Sequence, residues 1–232
     1  MRKIKFLAVV AACLLSLSAS AQSTSQKSFF SDIQFGVRGG LNFATFKADI
    51  VSGSGQLIGG TRIVADSYFL SRTAFHVGAV AEKNLWNNFY LQPGLFLTSK
   101  GSAYDASAAH PVAHEKYNSD LKIKLLYLEL PILLQYHLDT KWNVQFQLGV
   151  GPYVAYCING KYGTSDSNIN VFRDDRLCRF DWGVIFNVGA VYQHIYLGLG
   201  YELGLYNIVD GNYRDDISQK NRNFYISVGY NF

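Results

Sequence analysis

The chain has 232 residues and a formal net charge of +4; 15% of its residues are aromatic and only 16% are charged. Much of the positive excess lies in Arg2, Lys3 and Lys5, so the rest of the chain is nearly neutral and we predict no nucleic-acid partner. Many aromatics, 21 glycines and few charges are unusual for a soluble domain, and they favour a sheet with one face in lipid.

The first 21 residues have the pattern of a secretory signal peptide. A basic start and an apolar run lead to Ala19, Ser20 and Ala21, a small-residue cleavage pattern before Gln22. The apolar run is shorter than the roughly 20 residues of a membrane helix, and Cys13 lacks the small residues that precede a lipoprotein cleavage site. We therefore predict a signal peptide at 1–21, a short N-terminal lead-in at 22–32 and one barrel domain at 33–232.

Segments in which apolar and polar residues alternate follow one another along the remaining chain, separated by gaps that are alternately short and long. The most apolar segment is LLYLELPILLQYHL (125–138). We predict a strand and not a helix there, because Glu129 and Pro131 lie in its middle and a proline in a helix interior removes a hydrogen bond. Short turns on one side and long polar loops on the other are typical of bacterial outer-membrane barrels. The sequence predicts an all-β fold, an eight-stranded antiparallel up-and-down transmembrane β-barrel. Its strands are expected at 33–46, 73–83, 89–100, 122–138, 142–156, 179–193, 195–206 and 223–232.

The two faces of each predicted strand differ in residue type. In WNVQFQLGV (142–150), large apolar residues alternate with Asn, Gln and Gly. A β-sandwich would place Lys, Glu and Thr on its wet face, whereas glycine and small amides fit a crowded narrow lumen. We therefore expect the apolar face to point outward into lipid and the small polar face to point into the barrel.

A few charged residues fall on the inward face. Charges enclosed in an eight-stranded barrel should pair, because burying a lone charge is costly. The sequence predicts a lumen ion network that plugs the barrel, and a proton or small-solute path is the alternative. Its members are Arg38, Glu82, Lys100, Glu129, Asp181 and Glu202.

Aromatic residues near the short turns are expected to sit at the periplasmic membrane interface as a girdle. The predicted members are Trp86, Tyr90, Trp142, Tyr192, Tyr230 and Phe232.

Cys157 and Cys178 bracket the third long loop, and the exported location permits a disulfide between them. The alternation of the flanking strands places Cys157 inward and Cys178 outward, which opposes the bond, and a bulge near Gly151 and Pro152 would be needed to permit it. The sequence alone is compatible with a disulfide and with two free thiols.

Two clusters in the second long loop contain residue types found in chemical sites. His110 and His114 are four residues apart, but Pro111 opposes the helix that would align them on a metal. Ser107, His110 and Asp105 carry the residue types of a hydrolase, and such residues also occur together by chance in polar loops. We predict no metal, no cofactor and no enzymatic activity.

Several segments resemble the porin-like, PorT-type outer-membrane β-barrel family of Bacteroidetes. They are the Ala-Gln end of the signal, GVRGGLNFA (36–44), YLELPILLQYHL (127–138), LGVGPYVAY (148–156) and the terminal aromatic residue. The resemblance implies that the barrel-assembly machinery recognises the terminal aromatic residue. Some members of that family support protein secretion or gliding.

The sequence predicts a monomeric barrel in the outer membrane of a Gram-negative bacterium, surrounded by outer-membrane lipid. Its expected role is structural or binding, with an envelope or extracellular protein as partner of the loops at 47–72 and 101–121. A narrow porin for small solutes is the first alternative, and a lipid-modifying outer-membrane enzyme is the second.

Overall fold

A computed structural model describes residues 32–50, 69–104, 121–163, 168–170, 177–209 and 217–232. The compact unit that contains the barrel comprises Gln34–Phe232. The predicted signal peptide and nearly all of the predicted lead-in lie outside the described residues and stay predictions. Within the described part of the chain, no helix has the length and apolarity needed to cross a membrane.

All eight predicted strands are present, and two short strands accompany them. Each of the eight contains alternating large and small residues with many β-branched and aromatic side chains, which pack well on a pleated surface. The strands are β1 (Ile33–Ile50), β2 (Phe69–Leu70), β3 (Arg72–Trp86), β4 (Phe89–Tyr104), β5 (Leu121–Asp139), β6 (Val144–Gly163), β7 (Asn168–Asn170), β8 (Phe180–Tyr192), β9 (Ile195–Gly204) and β10 (Ile217–Asn231).

The eight long strands form a closed antiparallel barrel. Each pairs with the long strand that follows it in the chain, and β10 returns to pair with β1 from Gly36↔Asn231 to Ile50↔Ile217. The two short strands lie at one end of the barrel, where β2 pairs with β4 and β7 pairs with β6. The predicted up-and-down barrel is therefore confirmed.

One end of the barrel carries the short turns, which we call the short-turn end; the other is the long-loop end. Asn87, Asn143 and Gln193 adopt left-handed backbone conformations in these turns, with φ values of 47°, 58° and 56°. Asparagine tolerates this conformation better than most residues, which explains its use at two of the three turns. These turns hold successive strands in tight antiparallel register.

Six of the eight strands are longer than predicted at the long-loop end, whereas β8 begins one residue later and β9 ends two residues earlier than predicted. β6 continues to Gly163, seven residues past its predicted end, and β10 begins at Ile217, six residues before its predicted start. Polar residues fill these extensions, so the apolar alternation that marks a strand in sequence is missing there. Backbone pairing continues nevertheless, as in the Ile123↔Tyr162 pair of β5 and β6.

The alternation of faces follows the prediction. On β6, Phe146, Leu148 and Val150 are each more than 40% exposed on the outer wall, while Gln147 is buried in the lumen. The same pattern recurs around the barrel, so the outer wall is an apolar surface far larger than soluble monomers expose. The polar residues form the interior.

Candidate functional site: the barrel lumen

Lys100 on β4 is the centre of the charged lumen. Its ammonium lies 2.5 Å from a carboxylate oxygen of Glu129 on β5 and 2.6 Å from one of Glu202 on β9. The side chain is completely buried, and the ring of Tyr153 lies 4.3 Å from the ammonium. This ion triplet joins strands from both sides of the barrel.

A third carboxylate adjoins the triplet. Asp181 accepts hydrogen bonds from the Tyr153 hydroxyl at 3.1 Å and from the Asn221 amide at 2.8 Å, and it interacts electrostatically with Lys100. The same Asn221 amide donates to the Tyr127 hydroxyl at 3.3 Å. Four of the six predicted network residues thus meet in one cluster, with three acidic groups around one cation. We call Lys100, Glu129, Asp181 and Glu202 the lumen hub.

Arg38 and Glu82 form a second group, nearer the short turns. The Arg38 guanidinium lies 4.0 Å from the centre of the Tyr196 ring and donates to the Tyr230 carbonyl at 3.4 Å. Glu82 accepts a hydrogen bond from Gln92 at 2.8 Å and lies 3.5 Å from the imidazole of His137. The six predicted residues therefore lie in two groups, and Lys100 is the centre of the larger one.

A small cavity separates the two groups. Its volume is about 50 Å³, and its walls include Arg38, His76, Glu129, Glu202 and Ser227. A cavity of this size holds a few water molecules. At the short-turn end an open vestibule of about 580 Å³ leads inward from Gln34, Asn143, Gln193 and Asn231. Between them, the buried side chains of Gln135, His137 and Gln147 fill the lumen.

A buried hydrogen-bonded chain that the sequence did not reveal lines the cavity. The Asn42 amide nitrogen donates to the Thr98 hydroxyl at 2.9 Å and to the Ser99 carbonyl at 3.0 Å. The amide oxygen must then be the acceptor for His76 Nδ1 at 2.8 Å, which fixes the proton on that nitrogen. His76 Nε2 is left to accept from the Ser227 hydroxyl at 3.1 Å.

The order of hydroxyl, imidazole and amide is that of a hydrolytic triad. Ser227 is buried, however, and the adjoining cavity has room for water rather than for an acyl chain. The chain joins β1, β3, β4 and β10, so its evident effect is to fix those strands together. The alternation of residues along β1 and β3 places Asn42 and His76 inward, but this alternation does not show that the two side chains contact each other.

Five of the six residues predicted for the aromatic girdle lie on the outer wall or in a turn near the short-turn end. Tyr90 differs: its ring points into the lumen and stacks on the buried His137 at 3.9 Å. Phe89 takes its place outside, 5.2 Å from Trp86 and 5.0 Å from Tyr136 between ring centres. Tyr90 is the second residue after the turn at 87–88, and the strand pairing is irregular between Asn84 and Trp86, so the alternation of faces cannot be followed through this turn from the sequence.

Cys157 and Cys178 are not joined by a disulfide. Cys157 is buried in the lumen and its backbone N–H donates to the Arg179 carbonyl at 2.7 Å, so Arg179 lies opposite it. Cys178 precedes β8 and its sulfur lies 3.7 Å from the Val209 carbonyl, whereas the Cys157 sulfur lies 3.3 Å from the Asn159 carbonyl, so the two thiols have different partners. The bulge that would bring the two sulfurs together near Gly151 is absent from the β5–β6 and β6–β8 pairings around that residue.

Both thiols should therefore react in the unfolded, unreduced protein. We expect alkylation in denaturant without reductant to add one group to Cys157 and one to Cys178, as read by peptide mass spectrometry. Modification of both residues only after reduction would show that the disulfide forms.

The two loop clusters with residue types of chemical sites, which comprise Asp105, Ser107, His110 and His114, lie outside the described residues. In the part of the chain that the structure describes, no three His, Cys, Asp or Glu side chains are grouped so as to hold a metal ion.

Residues 20–210 match the family described as outer membrane protein beta-barrel domain. The chain belongs to this family. As an outer membrane protein beta-barrel domain, it is an integral protein of the outer membrane, and its closed eight-stranded fold agrees with that assignment.

Several solved structures are similar to the chain. Neisserial surface protein A is 15% identical with a TM-score of 0.42, over 85% of this chain and 95% of that chain. Ail, the attachment invasion locus protein of Yersinia pestis, in complex with the heparin analogue sucrose octasulfate, is 12% identical with a TM-score of 0.41, over 86% and 99%. The outer membrane protease OmpT from Escherichia coli is 13% identical with a TM-score of 0.42, over 90% and 99%. No curated protein sequence matches the chain.

Proposed function

We propose that this barrel is a closed scaffold that presents extracellular loops for binding, with no channel and no enzymatic activity of its own. The observation that carries the proposal is the lumen hub, in which the fully buried Lys100 ties β4 to β5 and β9 across the barrel. A buried ion triplet of this kind occupies the space that a conducting path would need. The long-loop end is then where partners are met.

The binding partner is proposed to be an envelope or extracellular protein. The resemblance to PorT-type barrels supports a secretion-associated role, because some members of that family assist protein secretion. The long loops supply the polar surface, since the outer wall is apolar and the lumen is filled. The barrel itself contributes rigidity, and it acts as a monomer in this proposal.

Single-channel recording tests the closed lumen directly. The folded protein, incorporated in a planar bilayer, is expected to show no reproducible openings, because the lumen hub and the amides below it block ion passage. A Glu129→Ala, Lys100→Ala, Glu202→Ala variant is the comparison, since it removes the ion triplet of the lumen hub and leaves Asp181 and the barrel wall unchanged. Stable openings of the unmodified protein would contradict the proposal and favour a narrow porin.

A further inference from the structure

The vestibule at the short-turn end is a concave polar surface that is separate from the lumen hub. Its volume is about 580 Å³, within the range of about 300–1,000 Å³ that is usual for small-molecule sites. Its walls come from the β5–β6 turn, the β8–β9 turn and the ends of β1 and β10. Short turns lie on the periplasmic side of outer-membrane barrels, so the vestibule opens away from the long loops.

Carboxamide side chains supply most of the polar lining of the vestibule. Gln145 is held in place, because its amide nitrogen donates to Asp139 at 2.8 Å and its amide oxygen accepts from Gln147 at 3.1 Å. The other four carboxamides make no side-chain hydrogen bond to the described part of the chain, so their donors and acceptors are available to a ligand. They are Gln34, Asn143, Gln193 and Asn231.

Two of these carboxamides occupy backbone conformations that suit glycine better. Asn143 and Gln193 have φ values of 58° and 56°, and a side chain as long as that of glutamine is uncommon in this region. Glycine would adopt the same turn without steric cost. A role in ligand recognition accounts for the Gln193 side chain at a position where the turn geometry favours glycine.

The rest of the lining suits a neutral ligand that has both polar and apolar groups. Among the described residues that line the vestibule there is no lysine or arginine, so an anionic ligand would meet no fixed positive charge. Phe232, Val144 and Val191 supply apolar surface beside the amides. A carboxamide presents a donor and an acceptor side by side, which matches two adjacent hydroxyl groups or an acetamido group. Sugars carry these groups together with apolar C–H faces.

We propose that the vestibule binds a neutral glycan built from N-acetylated amino sugars. The free carboxamides of Asn143 and Gln193 bind its hydroxyl and acetamido groups from two different turns, and the ring of Phe232 contacts the apolar face of a sugar ring. The site lies at the end of the barrel opposite to the loops that are proposed to meet a protein partner. It is therefore a second binding surface, and it does not depend on the first.

Calorimetric titration of the folded protein with chitotetraose, a neutral oligomer of N-acetylglucosamine, tests the proposal in a detergent without a sugar headgroup. We expect saturable binding, with weaker binding of maltotetraose, which has hydroxyl but no acetamido groups. An Asn143→Gly, Gln193→Gly variant should bind chitotetraose about 25-fold more weakly, because each lost hydrogen bond is worth about fivefold. The variant should fold and resist urea as well as the unmodified protein, since glycine suits both left-handed positions.

The third short turn supplies a matched control. Asn87 has a φ of 47° but does not line the vestibule, so Asn87→Gly makes the same kind of change and should leave chitotetraose binding unchanged. Absence of chitotetraose binding to the folded protein, or unchanged binding by the folded Asn143→Gly, Gln193→Gly variant, would overturn the proposal. Tighter binding of tetraalanine than of chitotetraose would also overturn it, because the vestibule would then be a peptide site. Folding of each variant is checked by its heat-modifiable mobility in gels.

Discussion

Replacing Lys100 by methionine is expected to lower the free energy of unfolding by about 3–5 kcal/mol, the usual cost of breaking a buried ion pair from one side. The change leaves Glu129, Glu202 and Asp181 buried together without their cation. Urea titration of the protein folded in lipid vesicles, followed by heat-modifiable gel mobility, measures the loss.

The acidic neighbours provide the decisive control. Adding Glu129→Gln and Glu202→Gln to Lys100→Met should recover most of the lost stability, because two of the three uncompensated charges are removed and Asp181 keeps its hydrogen bonds from Tyr153 and Asn221. Lys141→Met, at an exposed turn position, should change the free energy of unfolding little. Equal stability of Lys100→Met and Lys141→Met would mean that the hub does not hold the barrel together.

Substituting alanine for Gly40 is expected to destabilise the barrel by about 1–3 kcal/mol, the range found for overpacked interiors. A Cβ atom at this position would overlap the backbone carbonyl of Ile226 on the neighbouring strand and lie 2.8 Å from the His76 ring. The ring would have to move, and its hydrogen bond to Ser227 would be strained. The same urea titration measures the effect.

The adjacent glycine is a matched control. A Cβ at Gly39 would meet no atom closer than the His76 carbonyl at 3.5 Å. Gly39→Ala should therefore leave stability unchanged or raise it by up to about 1 kcal/mol, since alanine restricts the unfolded chain more than glycine. A similar loss for both substitutions would show that strand flexibility, rather than space at Gly40, is what the glycines supply.

The alternation of residue types along the sequence predicted those structural features that depend on one strand alone. It located the eight strands, the direction of their faces and the inward position of Lys100, because a period of two is local information. Which inward residues meet depends on the stagger between strands around the closed barrel, so the sequence did not show that Lys100 contacts Glu129 and Glu202. Tyr90 and the extension of β6 were missed where a turn or a polar segment interrupts the pattern.

A β-bulge on β6 is the feature that the sequence predicted least. Opposite β5 the pairing shifts from Tyr127↔Cys157 to Leu126↔Asn159, so Ile158 is an extra residue. No residue type around Ile158 marks the extra position in the sequence, yet the bulge places Lys161 on the outer wall. The chain from Asn42 through His76 to Ser227 was missed for a related reason, since it joins residues that are distant in sequence. Long-range partners of this kind follow from the closed geometry and not from any one segment.

The seam between β1 and β10 has a consequence for how the barrel forms. Arg38 and the Tyr230 carbonyl that it contacts are 192 residues apart in the chain, so the seam joins residues that are very distant in sequence. Such contacts make folding slow, because the entropy of closing a long loop is lost before any pairing repays it. Until the seam closes, both edges expose unsatisfied N–H and C=O groups that lipid cannot bind. The exposed edges of such an intermediate must be kept from lipid and from other chains during insertion. We therefore expect the lifetime of this intermediate, rather than the stability of the finished barrel, to limit the yield of folded protein.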